Sequence, residues 1–204
     1  MKESHHLNST VDLAGVVLAG GKSRRMGVDK SQINYKGEPH ELYTARLLKP
    51  YCSEVCISKS PSEVTEIAGF RVVHDLADDR GPLHAIHSAF CCIPEKSLLI
   101  MACDLPFINE ETIALLVQSR SKDHDVTCLR HHDKAYPEPL MAIYERHISV
   151  RLANALDKKV MSPTRLLEEC KVKYVNIQDT KVLFNANEQV QKDKARNIIR
   201  NKAR

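Results

Sequence analysis

Short apolar runs alternate along this chain with stretches in which apolar residues recur every three or four positions. Val16-Val17-Leu18 is one such run, closed by Gly20-Gly21. Val55 to Ser58, Arg71 to His74, Val126 to Leu129, Leu140 to Tyr144 and Val172 to Ile177 are others of strand length. Ser97 to Ala102 reads SLLIMA, continuously apolar, as a strand covered on both faces would be. Between these lie helical patterns. Glu41 to Tyr51 puts Leu42, Ala45 and Leu48 on one face, and Pro82 to Ile93 starts with proline where a helix tolerates it. Asn109 can cap a helix with Glu110 and Glu111 in its first turn and Ile113, Leu116 and Val117 facing inward. Glu145 to Leu156, a segment capped by Ser162-Pro163 and running to Cys170, and Glu188 to Ile199 complete the helices. The alternation predicts an α/β fold: a single three-layer domain, with a mostly parallel (mixed) sheet and helices on both faces. A flexible N-terminus over 1–12 precedes the domain, 13–204, whose C-terminal helix is expected at about 188–200.

In such sheets ligands sit in the crevice outside the carboxyl ends of the strands. The segments to inspect are therefore Ala19 to Lys30, Ser58 to Pro61, Asp75 to Pro82, Cys103 to Pro106 and the loop around Asn185.

Composition narrows the classes. The 204 residues are 43% hydrophobic, enough for a packed core and too many for wholesale disorder. Thirty basic against 26 acidic residues leave +4, but the excess is lopsided. From Gln191 onward, Lys192, Lys194, Arg196, Arg200, Lys202 and Arg204 face only Asp193, so the tail is +5 and the rest −1. The tail has amphipathic spacing (Ala195, Ile198, Ile199) and no interleaved aromatics. It reads as a packed helix with solvated lysines, and no nucleic-acid partner is expected. No apolar run reaches 18 residues, so no membrane span is expected, and the polar N-terminus lacks a signal core, which points to the cytoplasm. Seven cysteines without a C-x-x-C pair read as small hydrophobes in a reducing compartment. The pairs His84 and His87, His131 and His132, and His5 and His6 bring no thiolate or carboxylate at ligand spacing, and read as structural or solvated.

The chemistry gathers in the run Ala19-Gly20-Gly21-Lys22-Ser23-Arg24-Arg25-Met26-Gly27-Val28-Asp29-Lys30. Glycines after a buried strand let backbone N–H groups close on an anion, and Arg24, Arg25 and Lys30 add positive charge. The P-loop spacing fails, because the position five before Gly21 is Val16, and the dinucleotide pattern G-x-G-x-x-G is absent. The run suits a polyphosphate without belonging to either class. Asp104 directly follows SLLIMA, so its carboxylate should emerge beside this loop, where it could hold magnesium or simply serve a turn.

Leu18 to Lys30 reads L-A-G-G-x-S-x-R-M-G-x-D-K and resembles the signature of the molybdenum cofactor guanylyltransferase family, the molybdopterin-guanine dinucleotide biosynthesis protein A type. Gly81-Pro82-Leu83, Cys103-Asp104-Leu105-Pro106, Pro139 to Tyr144 and Phe184-Asn185-Ala186-Asn187 resemble further family motifs, in the family's order. The resemblance implies a Rossmann-like nucleotidyltransferase fold. It also implies Mg2+-dependent transfer of GMP from GTP to the terminal phosphate of molybdopterin or molybdenum cofactor. It assigns Asp104 to the metal, and Arg25, Lys30 and Asp104 to catalysis. Leu18, Ala19, Gly20, Gly21, Lys30, Ser58, Asp75, Asn185 and Asn187 would hold nucleotide or acceptor. Other cofactor-biosynthesis enzymes would be transient partners. Three positions depart from the pattern: Ser58 stands where Asn is usual, Ala85 where a glycine follows G-P-L-x, and Glu188-Gln189 where T-P-E-D would follow. The alternatives are a molybdenum cofactor cytidylyltransferase or another nucleotidyltransferase of the same fold, and a non-catalytic partner protein that kept the fold.

Overall fold

A computed structural model describes residues 12–20, 33–61, 67, 69–76, 81–132, 136–186 and 189–202. Seven strands form one sheet: β1 (Leu13–Leu18), β2 (Glu54–Lys59), β3 (Arg71–His74), β4 (Ser97–Ala102), β5 (Val126–His131), β6 (Pro137–Tyr144) and β7 (Val172–Ile177). Their order is β3-β2-β1-β4-β6-β5-β7. Every pairing is parallel except those of β6, which runs antiparallel to β4 and β5. The α/β sheet expected from the alternation is present, with strands β3, β4 and β7 at the expected bounds.

The helices are α1 (His40–Leu48), α2 (Pro82–Cys92), α3 (Glu110–Gln118), α4 (Ser149–Asp157), α5 (Pro163–Glu168) and α6 (Gln189–Lys202). Three predicted helices are shorter than their patterns, α5 ending at Glu168 rather than Cys170. Pro50 turns 49–51 into a 3-10 turn after α1, and 146–148 forms another before α4. Proline removes the N–H that would continue the α-helical ladder. Asn109 caps α3 by accepting from Thr112 N at 2.9 Å, and Ser162 caps α5 with Pro163 in the first turn.

The continuous apolar strands are explained by two cores. Ala14, Val16 and Leu18 of β1 and Leu98 and Ile100 of β4 face α2, α4 and α5. Leu13, Val17, Leu99 and Met101 face Ala45 and Leu48 of α1 and Ile113 and Leu116 of α3. Successive residues of a strand point to opposite faces, so a strand with a helical layer on each side must be apolar throughout. Each fully buried Leu or Ile in these strands contributes roughly 1.5–3 kcal/mol. A third, smaller cluster packs Ala195 of α6 on Ile33 and Tyr35, with Phe107, Phe184 and Ile199 around it.

The amino ends of β1 and β4 are tied together by charge. Arg120, 5% exposed at its side chain, donates to Glu145 at 2.7 and 2.8 Å and to Asp12 at 2.8 Å. Ser97 donates to the same Glu145 carboxylate at 2.7 Å. Burial alone would raise the Asp12 pKa, but hydrogen bonds from Lys122 and Arg120 outweigh it and hold Asp12 below its ordinary value. This network lies at the end of the sheet opposite the strand carboxyl ends.

Candidate active site

The carboxyl ends of β1, β2 and β4 lie side by side, because β1 pairs with both of the others. Ala19 N donates to Ser58 O at 3.0 Å and Cys103 N to Leu18 O at 3.2 Å, so the parallel pairing continues just past the strand ends. Gly20 follows. A Cβ there would stand 2.7 Å from Ser60 N and 3.0 Å from the Lys59 carbonyl carbon. Both are backbone atoms that cannot step aside, so only glycine lets β1 leave the sheet beside β2.

The backbone that Gly20 meets is held from behind. Lys59 and Glu41 form an ion pair of 2.6 Å with side chains 1% and 2% exposed. His40, the neighbour of Glu41, is fully buried, with Nε2 3.1 Å from Leu105 O, one residue past Asp104. Its ring meets Tyr35 edge-on and stacks with Tyr43. Burial pushes the His40 imidazole down from 6.5 to about 4, so it is neutral at physiological pH and Nε2 carries the donated proton. Sequence reasoning missed all three of these residues. Their only signal was polar residues on the apolar face of a helix and at the end of a buried strand.

Ser58 and Asp75 meet at the ends of β2 and β3. Ser58 is 1% exposed and its hydroxyl donates to Asp75 Oδ1 at 2.6 Å, while Asp75 N donates to Lys59 O at 2.9 Å. Ser58 is therefore turned onto Asp75 and fixes its carboxylate. The loop beyond is tied to α2, because Leu76 N donates to Ser88 Oγ at 2.9 Å. Gly81 opens α2 with φ +85°, a conformation that favours glycine, and Pro82 follows in the first turn. Ala85 is packed into the core with Val73 and Ile86.

Asp104 sits just past β4, and its backbone carbonyl accepts from Ala186 N at 2.9 Å. That bond brings the loop carrying Asn185 against the aspartate. Asn185 Oδ1 is buried and accepts no hydrogen bond among the described residues. A buried carbonyl oxygen in that state is costly unless something else coordinates it. A carboxylate and an amide oxygen are hard donors suited to magnesium, which takes one or two carboxylates and completes its shell with phosphate and water. Asp104 and Asn185 thus fit a divalent cation. Among the described residues no group of three His, Cys, Asp or Glu forms a closed metal site.

Two more groups were not anticipated. Glu138, at the start of β6, is pushed up to about 7 by burial and by the charge of Asp104, against a hydrogen bond from Leu140 N. Lys192 is 1% exposed. It lies one turn before Ala195 on the inward face of α6, which corrects the expectation that the lysines of this helix are solvated. Leu18, Ala19, Gly20, Ser58, Asp75, Asp104 and Asn185 thus cluster at the carboxyl edge, while Gly21, Arg25, Lys30 and Asn187 lie outside the described residues.

The MobA-like NTP transferase domain matches residues 15–173, which include Gly20, Ser58, Asp75, Asp104 and Glu138. The chain belongs to the MobA-like NTP transferase family. It is similar to the "Molybdenum cofactor biosynthesis bifunctional protein" of Synechocystis sp., at 34% identity over 78% of this chain and 51% of that protein. It is also similar to the "Probable molybdenum cofactor guanylyltransferase" of Pelotomaculum thermopropionicum, at 39% identity over 65% of this chain and 63% of that one. The chain thus spans about half the length of the first relative and under two thirds of the second. A solved MobA-like structure, molybdopterin-guanine dinucleotide biosynthesis protein A from Archaeoglobus fulgidus, shares the fold with a TM-score of 0.77 at 22% identity, over 92% of this chain and 99% of that one. Asn185 and α6 lie beyond the matched residues of the MobA-like domain, so the Asp104–Ala186 bond joins a family motif to the tail of this chain.

Proposed function

We propose that this protein transfers GMP from GTP to the terminal phosphate of molybdopterin or its molybdenum-loaded form, releasing pyrophosphate. The observation that carries the reading is the junction of three motifs at one sheet edge: the Gly20 turn, Asp104, and the Asn185 loop bonded to it. The choice of base and acceptor is supported by similarity to relatives named molybdenum cofactor guanylyltransferase.

On this reading the triphosphate lies over the run that begins at Gly20, and Arg25 and Lys30 neutralise its charge. Asp75, fixed by Ser58, accepts hydrogen bonds from guanine or ribose. Asp104 and Asn185 would hold the divalent cation, which when bound neutralises charge on the phosphate oxygens. The acceptor phosphate attacks the α-phosphorus in line, forming a new P–O bond, and the α–β bridging P–O bond breaks to release pyrophosphate. A phosphomonoester with its second pKa near 6 is largely dianionic at neutral pH, so no general base is needed. The protein supplies position and charge neutralisation. Asn187 would contact the acceptor, which other enzymes of cofactor biosynthesis would deliver.

The test incubates purified protein with magnesium, molybdenum cofactor and each nucleoside triphosphate, and detects the dinucleotide product. Product with GTP alone is expected, and product with CTP would reverse the choice of base. Asp104→Asn should lose turnover by about 100-fold or more while keeping its fold, since removing a group that stabilises transition-state charge typically costs that much. A folded variant at near-normal rate would overturn the role of Asp104.

A further inference from the structure

We infer that His40 and Lys36 are positioning residues, which tie the end of the glycine-rich run to the loop carrying Asp104. The inference rests on the reading above, in which that run holds the triphosphate and Asp104 the cation.

Ile33 follows Lys30 by three residues. Its carbonyl accepts from His40 N at 3.0 Å across a tight turn. In that turn Asn34 pairs with Pro39 in an isolated antiparallel bridge, and Gly37, at φ +94°, donates its N–H to Asn34 Oδ1 at 2.7 Å. The segment that follows the run is thereby fastened to the start of α1. The His40 side chain reaches the other way, to Leu105 O at 3.1 Å. A carbonyl can only accept, so Nε2 is the donor. One residue thus holds Ile33 by its backbone and the neighbour of Asp104 by its ring. Lys36, inside the turn, makes a second tie. Its Nζ donates to Ile108 O at 3.2 Å and to the Tyr43 hydroxyl at 2.7 Å. Tyr43 in turn stacks on His40, so the two ties support each other.

The Asp104 loop does not need these bonds to close. Leu105 O already accepts from Ile108 N at 3.2 Å, Cys103 N donates to Leu18 O, and Asp104 O accepts from Ala186 N. What His40 and Lys36 add is a connection to the segment that leads back to the run. His40 Nδ1 is buried and meets no partner among the described residues, a desolvation cost that an apolar side chain would avoid. Lys36 is exposed, yet two of its donor positions are spent on this loop and on Tyr43. Magnesium demands near-ideal octahedral geometry, so a cation shared by Asp104 and phosphate oxygens tolerates little error between the two. The ties should therefore matter when cation and triphosphate are bound together.

The experiment measures GTP affinity by calorimetry, without acceptor, in the presence and absence of Mg2+. It compares the wild type, His40→Leu, His40→Gln, Lys36→Met and Asp104→Asn, with a thermal melt of each. The readout is the factor by which Mg2+ tightens GTP binding. His40→Leu should cut that factor about threefold or more, the scale of one lost hydrogen bond, and leave Mg2+-free affinity unchanged. His40→Gln, whose amide can still donate to Leu105 O, should recover most of it. Lys36→Met should cut it about twofold. A fall in one variant alone confines the role to that residue. Wild-type factors in both His40→Leu and Lys36→Met overturn the inference, and a lowered melting temperature with the factor intact makes the residue structural. Should His40→Leu not fold, a wild-type factor in Lys36→Met alone overturns it. If Asp104→Asn keeps the factor, the cation reading of Asp104 fails and this inference with it. If Asp104→Asn loses the factor while His40→Leu and Lys36→Met keep it, only the positioning roles fall.

Discussion

Acidification should weaken this fold through His40, and the size of the effect follows from burial. The ring is completely buried, and its pKa falls from 6.5 to about 4 because charging it would require desolvating the imidazolium; Lys36 nearby adds to the effect, while the Leu105 carbonyl opposes it. Between those two values the unfolded chain binds a proton that the folded chain does not. Stability therefore rises with pH across that window. It is fully present above about pH 6.5 and is lost as pH falls toward 4. At 1.36 kcal/mol per unit, the full difference is about 3 kcal/mol, and by pH 5 about 2 kcal/mol should be gone. Urea melts at pH 8 and pH 5 measure it. His40→Gln supplies the comparison, because its side-chain amide can still donate to Leu105 O but does not titrate. The variant should be less stable at pH 8, yet lose about 2 kcal/mol less than the wild type on going to pH 5. Equal losses in the two proteins would refute the assignment. So would a directly titrated His40 ring with a pKa near 6.5.

Arg120→Ala should destabilise the fold by about 3–5 kcal/mol, because Glu145 would remain buried without its cation; urea melts check this, and turnover per folded molecule should be unchanged since the network lies at the far end of the sheet. Gly20→Ala should cost about 1–3 kcal/mol by forcing backbone apart at Ser60, and should raise the KM for GTP; an unaltered KM would show that the turn does not border the nucleotide. Ser58→Ala should raise the KM for GTP several-fold with kcat nearly constant, by freeing the Asp75 carboxylate, and steady-state kinetics read the split.

The layered fold was legible because its strands are buried on both faces. SLLIMA could be read as β4 with its ends intact, and the two-residue alternation of cores in β1 leaves only apolar residues there. Asp104 was legible for the same reason, since the residue after such a strand must emerge at the carboxyl edge. Glu138 was not. The apolar run marks β6 only from Leu140, whereas the strand begins at Pro137 and is distorted at the residues between. An irregular strand start carries polar residues and proline, which in sequence resemble a loop. Lys192 was hidden differently. Five other basic residues surround it between Gln191 and Arg204, and only the contact of Ala195 with Tyr35 fixes which face of α6 is inward.

The Lys59–Glu41 pair joins these observations into one account of how the site is held. A buried ion pair is a weak argument for stability, because removing both charges from water can cost as much as their attraction returns. Its position matters more. Lys59 is the last residue of β2, and its backbone is what Gly20 packs against. Its carbonyl also receives Asp75 N, so one residue fixes the distance from β2 to both the β1 turn and the β3 end. Glu41 holds the Lys59 side chain from the first turn of α1, and His40 beside it binds the carbonyl next to Asp104. The start of α1 therefore braces β2 through one residue and the β4 loop through the other. A nucleotide spanning from Gly20 to Asp104 would cross a gap whose two sides are anchored on the same helical turn. Geometry held within a fraction of an ångström is what in-line displacement requires, and that requirement explains two fully buried polar side chains at positions where apolar ones would pack as well.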